Sequence, residues 1–387
     1  GATVTLTDAQ NGDVLSLLGQ AGTSGTLAGG IDFAISGMTV TFSNVSSVAN
    51  YQAALQLVQF NNTVVAPDTT DRTFSIQVDD GAGANNLTNA TATLTVGSLN
   101  HAPQVTGLGT SVTVNEDGSV PLTGATVTDV DSADILTVTV SVGLQGTLTS
   151  LATQSELNQL TSATGDGTNL ITISGSVSAV NAVVAAGVTY APVANYNGPD
   201  QLVLSVADNH GGSDSKQVDI TVTAINDAPV ATITPAFYSA TEQVVLSLKN
   251  NGLSVSDVDA GSGQVTVTLS VGEGTLTVTA GTSGALVSGS GSPSVTVSGT
   301  VAQINALLNT DGSSAVSYID NTDTPGASTT LTLSVDDNGN SGGGGSLIAS
   351  DTATINITAV NDAPVATIIP AFYSATEQVV LSLKNNG

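Results

Sequence analysis

Apolar and polar residues alternate along this chain with a period of two, in sets that return at domain-sized intervals. Phe74, Ile76 and Val78 alternate with polar residues, the run Asp79-Asp80-Gly81-Ala82-Gly83 interrupts them, and Ala92, Leu94 and Val96 resume the alternation. The set returns as Leu202, Leu204 and Val206, the run Asp208-Asn209-His210-Gly211-Gly212, then Val218, Ile220 and Val222. A third set is Leu331, Leu333 and Val335, the run Asp336-Asp337-Asn338-Gly339, then Ile355 and Ile357. Successive side chains of a strand point to opposite faces, so each set predicts an antiparallel hairpin with one buried face. Alternating runs at 136–142 and 265–271 add further strands. Many short strands separated by turn residues predict an all-β chain of tandem β-sandwich domains.

One segment per set breaks the alternation. Residues 48–55, 177–184 and 301–308 align without gaps, and each places an amide side chain (Gln52, Asn181, Asn305) before an Ala. The spacing of Val301, Ile304, Leu307 and Leu308 fits about two helical turns. It predicts one short helix per domain, plugging an end or edge of the sandwich by apolar contact rather than carrying function.

The letters repeat as well as the pattern. Residues 227–252 and 362–387 differ only at Thr234 against Ile369, and a weaker copy runs from Ala102-Pro103-Gln104-Val105 to Asn115-Glu116-Asp117-Gly118. Repetition at this scale predicts an array. A sandwich lacking its opening strands is expected over 1–101, complete sandwiches over 102–227 and 228–361, and the opening strands of a further repeat over 362–387. Gly1 to Asp8 reads like the run before Asp129. Pro103, Pro229 and Pro364 fix the backbone at the junctions, which are expected to be short and straight. Residues 341–346, Ser-Gly-Gly-Gly-Gly-Ser, read as a hairpin-loop insertion peculiar to the third domain.

Composition narrows the function. Asp and Glu total 31 against four Lys and Arg, a formal charge of −27, which repels phosphate backbones and anionic lipid. Nucleic-acid partners and membrane insertion are therefore not expected. Cysteine is absent, which removes disulfides, thiolate zinc sites and thiol catalysis. Apolar residues make up 40% of the chain and aromatics only 3%, so the core must come from Val, Leu, Ala and Ile. The chain has no recognisable signal peptide and begins at Gly1 without Met, which reads as a fragment or processed product.

Most of the acid is Asp, placed in turns with Gly and Asn, where short carboxylates can converge on a hard cation. The second domain carries Glu116, then Asp129, Asp131 and Asp134, then Asp208, and ends in Asn226-Asp227. The third carries Glu242, Asp257, Asp259 and Asp337, and ends in Asn361-Asp362. Two carboxylates two residues apart in an extended loop can face one ion, and a Glu with the linker Asn-Asp can close its shell. About six to eight oxygens suit Ca2+ better than Mg2+ or a transition metal. The alternative is that these side chains cap their own turns.

A Glu near the first strand, D-x-D-x-x-D, a hairpin Asp and N-D-A-P resemble the calcium-linked pattern of cadherins. Residues 190–198 (Tyr-Ala-Pro-Val-Ala-Asn-Tyr-Asn-Gly), 208–212 and 226–229 are more closely similar to bacterial cadherin-like and VCBS-type tandem repeats of giant secreted surface adhesins. The resemblance covers essentially the whole chain, best over 102–361. It implies a Ca2+-stiffened extracellular rod at the bacterial cell surface, serving adhesion or biofilm matrix assembly, with neighbouring repeats as partners. The first domain departs from the pattern. It has Asp8, Gln10 where the second has Asp131, and Asp13, and it exits through Asn100-His101-Ala102-Pro103, so calcium is expected to be weaker or absent at the first seam.

Catalysis has little support. His101 and His210 have no repeated nucleophile, and carboxylate pairs that would suit glycoside hydrolysis recur domain after domain, which an active site rarely does. The chain is expected not to be an enzyme. Phe237-Tyr238, Phe372-Tyr373 and the two Tyr flanking Asn195 leave a surface-glycan platform open beside core packing. The competing functions are a glycan-binding array, an enzyme-associated spacer, and a fibre joined head to tail by strand donation from residues 377–383. The plainer account of the ends is a cut through a longer array.

Overall fold

The predicted hairpins form, and what surrounds them is decided by which strands are available to cover their apolar faces. The computed structural model describes residues 1–82, 87–131, 133–369 and 371–384. Gly83 of the first predicted turn, Ser132 of the acidic loop, and residues 370 and 385–387 of the second verbatim copy lie outside the described residues. The chain divides into two compact units. One comprises Gly1–Val114, Gly118–Val193 and Pro199–Thr221; the other comprises Asn115–Asp117, Ala194–Gly198 and everything from Val222 onward.

In the second unit a six-stranded sheet runs in the order Phe237–Thr241, Ile348–Thr358, Ser328–Asp336, Val265–Val271, Ser294–Gly299, Leu286–Ser288. Phe237–Thr241 lies parallel to its neighbour, and the other pairings are antiparallel. A three-stranded sheet of Leu246–Ser247, Ala315–Ile319 and Thr275–Thr279 closes the sandwich. Val265, Val267, Leu269, Leu276, Tyr318, Leu331 and Leu333 are fully buried between the two sheets. Each such aliphatic side chain stabilises the fold by about 1.5–3 kcal/mol, and the alternating Thr and Ser of the same strands stay at least partly in solvent.

The first unit holds the same topology once in full. Its six-stranded sheet is ordered Ser111–Asn115, Ser213–Thr223, Gly198–Ala207, Ile135–Ser141, Leu170–Ser176, Ser162–Thr164, with a second sheet of Val120–Leu122, Val188–Pro192 and Gly146–Ser150. The region before it is reduced. Ala2–Leu6 lies between Thr39–Ser43 and Arg72–Asp79, and Asp13–Leu17 pairs with Val58–Asn62 alone. No described strand flanks the far side of Leu87–Leu94. Phe74 and Ile76 are accordingly half-buried and Val78 is exposed, whereas Leu202, Leu204 and Val206 are buried.

This pairing corrects one alignment. Residues 1–5 and 124–128 share the letters Gly-Ala-Thr-Val-Thr, yet Ala2–Leu6 takes the place of Ile135–Ser141, the strand after the D-x-D loop. Asp8, Gln10 and Asp13 therefore belong to the next loop and are not counterparts of Asp129, Asp131 and Asp134. Asp13 is instead locked in a buried ion pair with Arg72 at 2.6 Å and accepts from Asn62 Nδ2 at 2.7 Å. A five-residue alternating word fits any strand, and the long-range partners decide.

The three predicted helices form as Val48–Leu55, Val177–Ala186 and Val301–Asn305, the last continuing as a π turn over Ala306–Thr310. A fourth over Gln154–Leu157, nucleated by a Thr153/Glu156 capping box, gives the 102–227 region two helices where one was expected. Ser47, Ser176 and Thr300 cap their N-termini by accepting a backbone N–H. Two of the predicted amides clamp each helix to the strand that leads into the acidic loop. Asn181 Oδ1 accepts from Val127 N at 3.0 Å; Asn305 Oδ1 accepts from Val255 N at 3.0 Å and its Nδ2 donates to Val255 O at 2.7 Å. Gln52 is exposed.

The second verbatim copy behaves unlike the first. Phe237–Thr241 is a strand with Tyr238 buried, while the described residues of 362–384 form no strand and leave Val365, Phe372 and Val380 exposed. The same letters make a strand only where Ile348–Thr358 offers an edge.

Asn305→Ala strands both backbone groups of Val255, so a destabilisation of about 1–3 kcal/mol is expected. Gln52→Ala should stay within about 0.5 kcal/mol. Hydrogen exchange at the Val255 amide together with thermal unfolding checks the pair.

Candidate metal centres

Short Asp side chains in extended loops first satisfy their own backbone, and only then is an oxygen left over. In the second unit Asp257 Oδ1 accepts from Asp259 N at 2.8 Å and Ala260 N at 2.9 Å, which folds the loop and leaves Asp257 Oδ2 buried without a partner. Asp259 Oδ2 accepts from Asp227 N at 2.5 Å, bringing the linker carboxylate to the loop. Asp227 Oδ2 is also buried and without a partner. Glu116 is buried, with Oε1 accepting from Ile225 N at 2.6 Å and Oε2 from Asn197 Nδ2 at 3.2 Å. Burial first, then the charges of Asp259, Asp117, Glu116 and Asp257, push the Asp227 carboxyl above the usual range.

Asn226 and Asp337 serve this site from behind. Asn226 Nδ2 donates to Asp337 Oδ2 at 2.6 Å and to Gly345 O at 3.0 Å. Burial pushes the Asp337 carboxyl up, but donation from Leu347 N, Gly339 N and the Asn226 amide outweighs it and holds it below the usual range. The glycine run 341–346 is part of the same arrangement. Asn226 N donates to Gly343 O at 3.0 Å and Gly343 N to Ala224 O at 3.1 Å, so the loop pairs with the linker backbone. At Gly342, φ is +81° and a Cβ would fall 2.5 Å from Asn226 N, which leaves room only for glycine.

The first unit holds a second centre. The ligand atoms of Asp129, Asp131 and Asp134 lie within 4.8 Å of one another. Asp129 Oδ1 accepts from Asp131 N at 2.9 Å, and Asp131 Oδ2 accepts from His101 N at 2.7 Å. His101 Nδ1 is 3.3 Å from Asp131 Oδ2, and His210 Nδ1 is 3.0 Å from Asp134 Oδ1. Asp129 Oδ2 and Asp134 Oδ2 are buried without partners. Burial, then Asp134, Asp131 and Asp208, raise the Asp129 carboxyl. Asp208 is consumed by donors, taking Asn100 Nδ2 at 3.1 Å and the backbone of His210 and Gly212, each at 2.8 Å.

A third centre joins Glu242, Asp323 and Asp362, again within 4.8 Å. Glu242 is 1% exposed; Oε2 accepts from Val360 N at 2.8 Å and Oε1 has no partner. Asn361 turns away and donates to Asp362 O at 3.3 Å. Asp323 escaped the sequence reading. It follows Ala315–Ile319 as Asn195 and Asn197 follow Val188–Pro192, and that shared register is the signal that could have found it.

The Asp129 and Glu242 centres gather three ligand oxygens to a spacing that fits a hard cation, whereas around Asp227 the carboxylates are brought together by hydrogen bonds and shared burial without three of them reaching that spacing. Among the described residues, the five buried side-chain oxygens without partners, on Asp129, Asp134, Asp227, Asp257 and Glu242, all belong to these three centres. No described Lys or Arg pairs with them. Leaving buried carboxylates uncompensated costs several kcal/mol, which a divalent ion with oxygen ligands removes. The aromatic platform considered for glycan is partly core: Tyr190 and Tyr238 are buried.

The bacterial Ig domain family matches residues 149–221. No curated protein matches the sequence. Among solved structures, protocadherin gamma B2 extracellular cadherin domains 1–5 align over 93% of this chain and 53% of that chain, with 12% identity and a TM-score of 0.28. Mouse protocadherin-24 EC1–3 aligns over 91% of this chain and 92% of its own, with 15% identity and a TM-score of 0.27. Human protocadherin-24 EC1–2 aligns over 68% and 100%, with 15% identity and a TM-score of 0.29. The chain spans about half the length of the first of these. The repeated topology and the Ig-domain match agree with the cadherin-like and Ig-like tandem repeats read from the sequence, and the chain is an all-β protein of tandem domains. No helix among the described residues is long and apolar enough to cross a membrane.

Two Asp→Asn substitutions in one site should act with opposite sign when divalent ions are chelated. Asp227 titrates higher folded than unfolded, so its contribution is present at low pH and is lost as pH rises through its raised pKa. Asp337 titrates lower folded, so its contribution is present above the usual carboxylate range and lost as pH falls through its depressed pKa. At pH 7 in chelator, calorimetry should find a higher melting temperature for Asp227→Asn and a lower one for Asp337→Asn.

Proposed function

We propose that this chain is a non-enzymatic, calcium-stiffened structural segment of a bacterial extracellular adhesin or filament. The observation that carries the reading is that, among the described residues, the five orphaned carboxylate oxygens lie at repeat-end loops, four of them where a linker meets a D-x-D turn and the fifth, on Glu242, beside the linker carboxylate Asp362. Ca2+ takes six to eight oxygens at about 2.3–2.6 Å from loops of adjustable shape. Around Asp227 the donors are Glu116, Asp227, Asp257 and Asp259, with Asn226 and Asp337 holding the linker in place; around Glu242 they are Asp323 and Asp362. Binding there ties the linker to the loop and cancels the mutual repulsion of the carboxylates. Neighbouring repeats are then the principal partners, and the acidic surface keeps the segment soluble and away from nucleic acid.

An ion that binds the folded chain and not the unfolded one stabilises it by about 2.7 kcal/mol at 100 times its Kd. The melting temperature is expected to rise on titrating Ca2+ into chelator-treated protein, and the largest dimension in solution scattering is expected to rise with it. Asp257→Ala and Asp259→Ala should each reduce the calcium response by the share of the Asp227 centre, while Gln10→Ala retains it in full. Melting and scattering profiles indifferent to calcium and chelator would refute the proposal.

A further inference from the structure

We infer that the Asp129–Asp131–Asp134 centre is a mixed imidazole–carboxylate site selective for a borderline transition-metal ion such as Zn2+ over Ca2+. The inference rests on the reading that these loops hold cations, and it concerns which cation this one takes. The chain contains two histidines, and both contact this one cluster.

The same backbone scaffold occurs in the second unit with different donors. His101 N donates to Asp131 Oδ2 as Asp227 N donates to Asp259 Oδ2, so a histidine stands where the other centre has a carboxylate. His210 N donates to Asp208 Oδ1 as Gly339 N donates to Asp337 Oδ1, so a second imidazole stands where the other centre has no side chain. One scaffold thus carries an all-oxygen set and a nitrogen–oxygen set in a single polypeptide. Imidazole suits zinc, copper and nickel, whereas calcium prefers oxygen throughout.

The count of available oxygens points the same way. Asp208 is held by donors from Asn100, His210 and Gly212, and neither of its oxygens is left without a partner. The recess beside the cluster, about 370 Å³, is bordered from the preceding region by Ala66, Pro67, Thr69, Ser98 and Asn100, none of them a carboxylate, so no counterpart of Glu116 lines it. Three Asp side chains fall short of a calcium shell but complete a four-coordinate one with one imidazole and a five-coordinate one with two. His101 Nδ1 and His210 Nδ1 lie 3.3 and 3.0 Å from Asp131 Oδ2 and Asp134 Oδ1, so both imidazoles border the cluster. Asp134, 5% exposed with Oδ2 unpartnered, aims a free oxygen into the cluster. The two rings are 35% and 55% exposed, so they can turn toward it without disturbing the core.

The experiment is calorimetric titration of the chelator-treated full chain with ZnCl2 and with CaCl2, alone and in competition, alongside visible absorption after loading Co2+. The expected result is one zinc equivalent that excess calcium does not displace, and a Co2+ spectrum of low-symmetry four- or five-coordinate character. His101→Ala/His210→Ala should weaken zinc binding by about 10–100-fold and remove that spectrum, with the calcium-dependent melting shift unchanged. His101→Asp/His210→Gly, which copies the donors of the second unit, should exchange the zinc equivalent for an additional calcium equivalent. Calcium binding without zinc binding, or zinc binding indifferent to both histidines, would overturn this inference and leave the calcium proposal standing. Binding of neither ion would overturn both.

Discussion

Carboxylates held together out of water are the constraint on which the rest of this molecule turns. Two like charges about 4 Å apart repel by about 4 kcal/mol at an effective dielectric of about 20, and a whole domain is stable by only about 5–15 kcal/mol. The Asp257 and Asp129 loops hold their carboxylates in place with hydrogen bonds of their own. Asp257 and Asp129 spend one oxygen on the backbone two residues ahead, and Asp259 and Asp131 spend one on the linker N–H. The leftover oxygen has no freedom to turn back to solvent. The hydrophobic sandwich stabilises these loops, and the helix amides Asn181 and Asn305 grip the strands that lead into them. Core, clamp and loop are therefore one mechanical path from the sheet to the acidic centre.

Much of this was legible in the letters, for a physical reason. Period-two alternation reports which face of a strand is buried, so Leu202, Leu204, Val206 and Leu331, Leu333, Val335 were found as core strands and are core strands. The short helices were legible because their apolar spacing is incompatible with a pleat. The acidic loops could be read because Asp, Gly and Asn cluster there, where their short side chains shape turns.

What was missed is non-local. Residues 1–5 carry the same word as 124–128, yet their place is set by the strands on either side, which lie far along the chain. Asp323 enters its centre from a loop that no D-x-D pattern announces. The histidines were weighed as catalysts at a linker and a turn, and only folding reveals that both face one cluster. The glycine run was legible as a hairpin-loop insertion and lies between the paired strands Ser328–Asp336 and Ile348–Thr358, but nothing in the letters showed that its lack of side chains lets it lie against the linker backbone at Asn226. Composition tells how much freedom a segment has, and only its neighbours tell what that freedom is used for.

The near-identity of residues 227–252 and 362–387 has a consequence for how such a chain changes over generations. Each copy runs from a linker carboxylate, Asp227 or Asp362, through a loop glutamate, Glu242 or Glu377, so each carries the same fraction of an acidic centre. Unequal crossing-over between the two coding stretches would remove or add one whole period, and every junction it created would still join a linker half to a matching loop half. The length of the polypeptide would thereby drift in steps of one repeat while its acidic centres kept their composition.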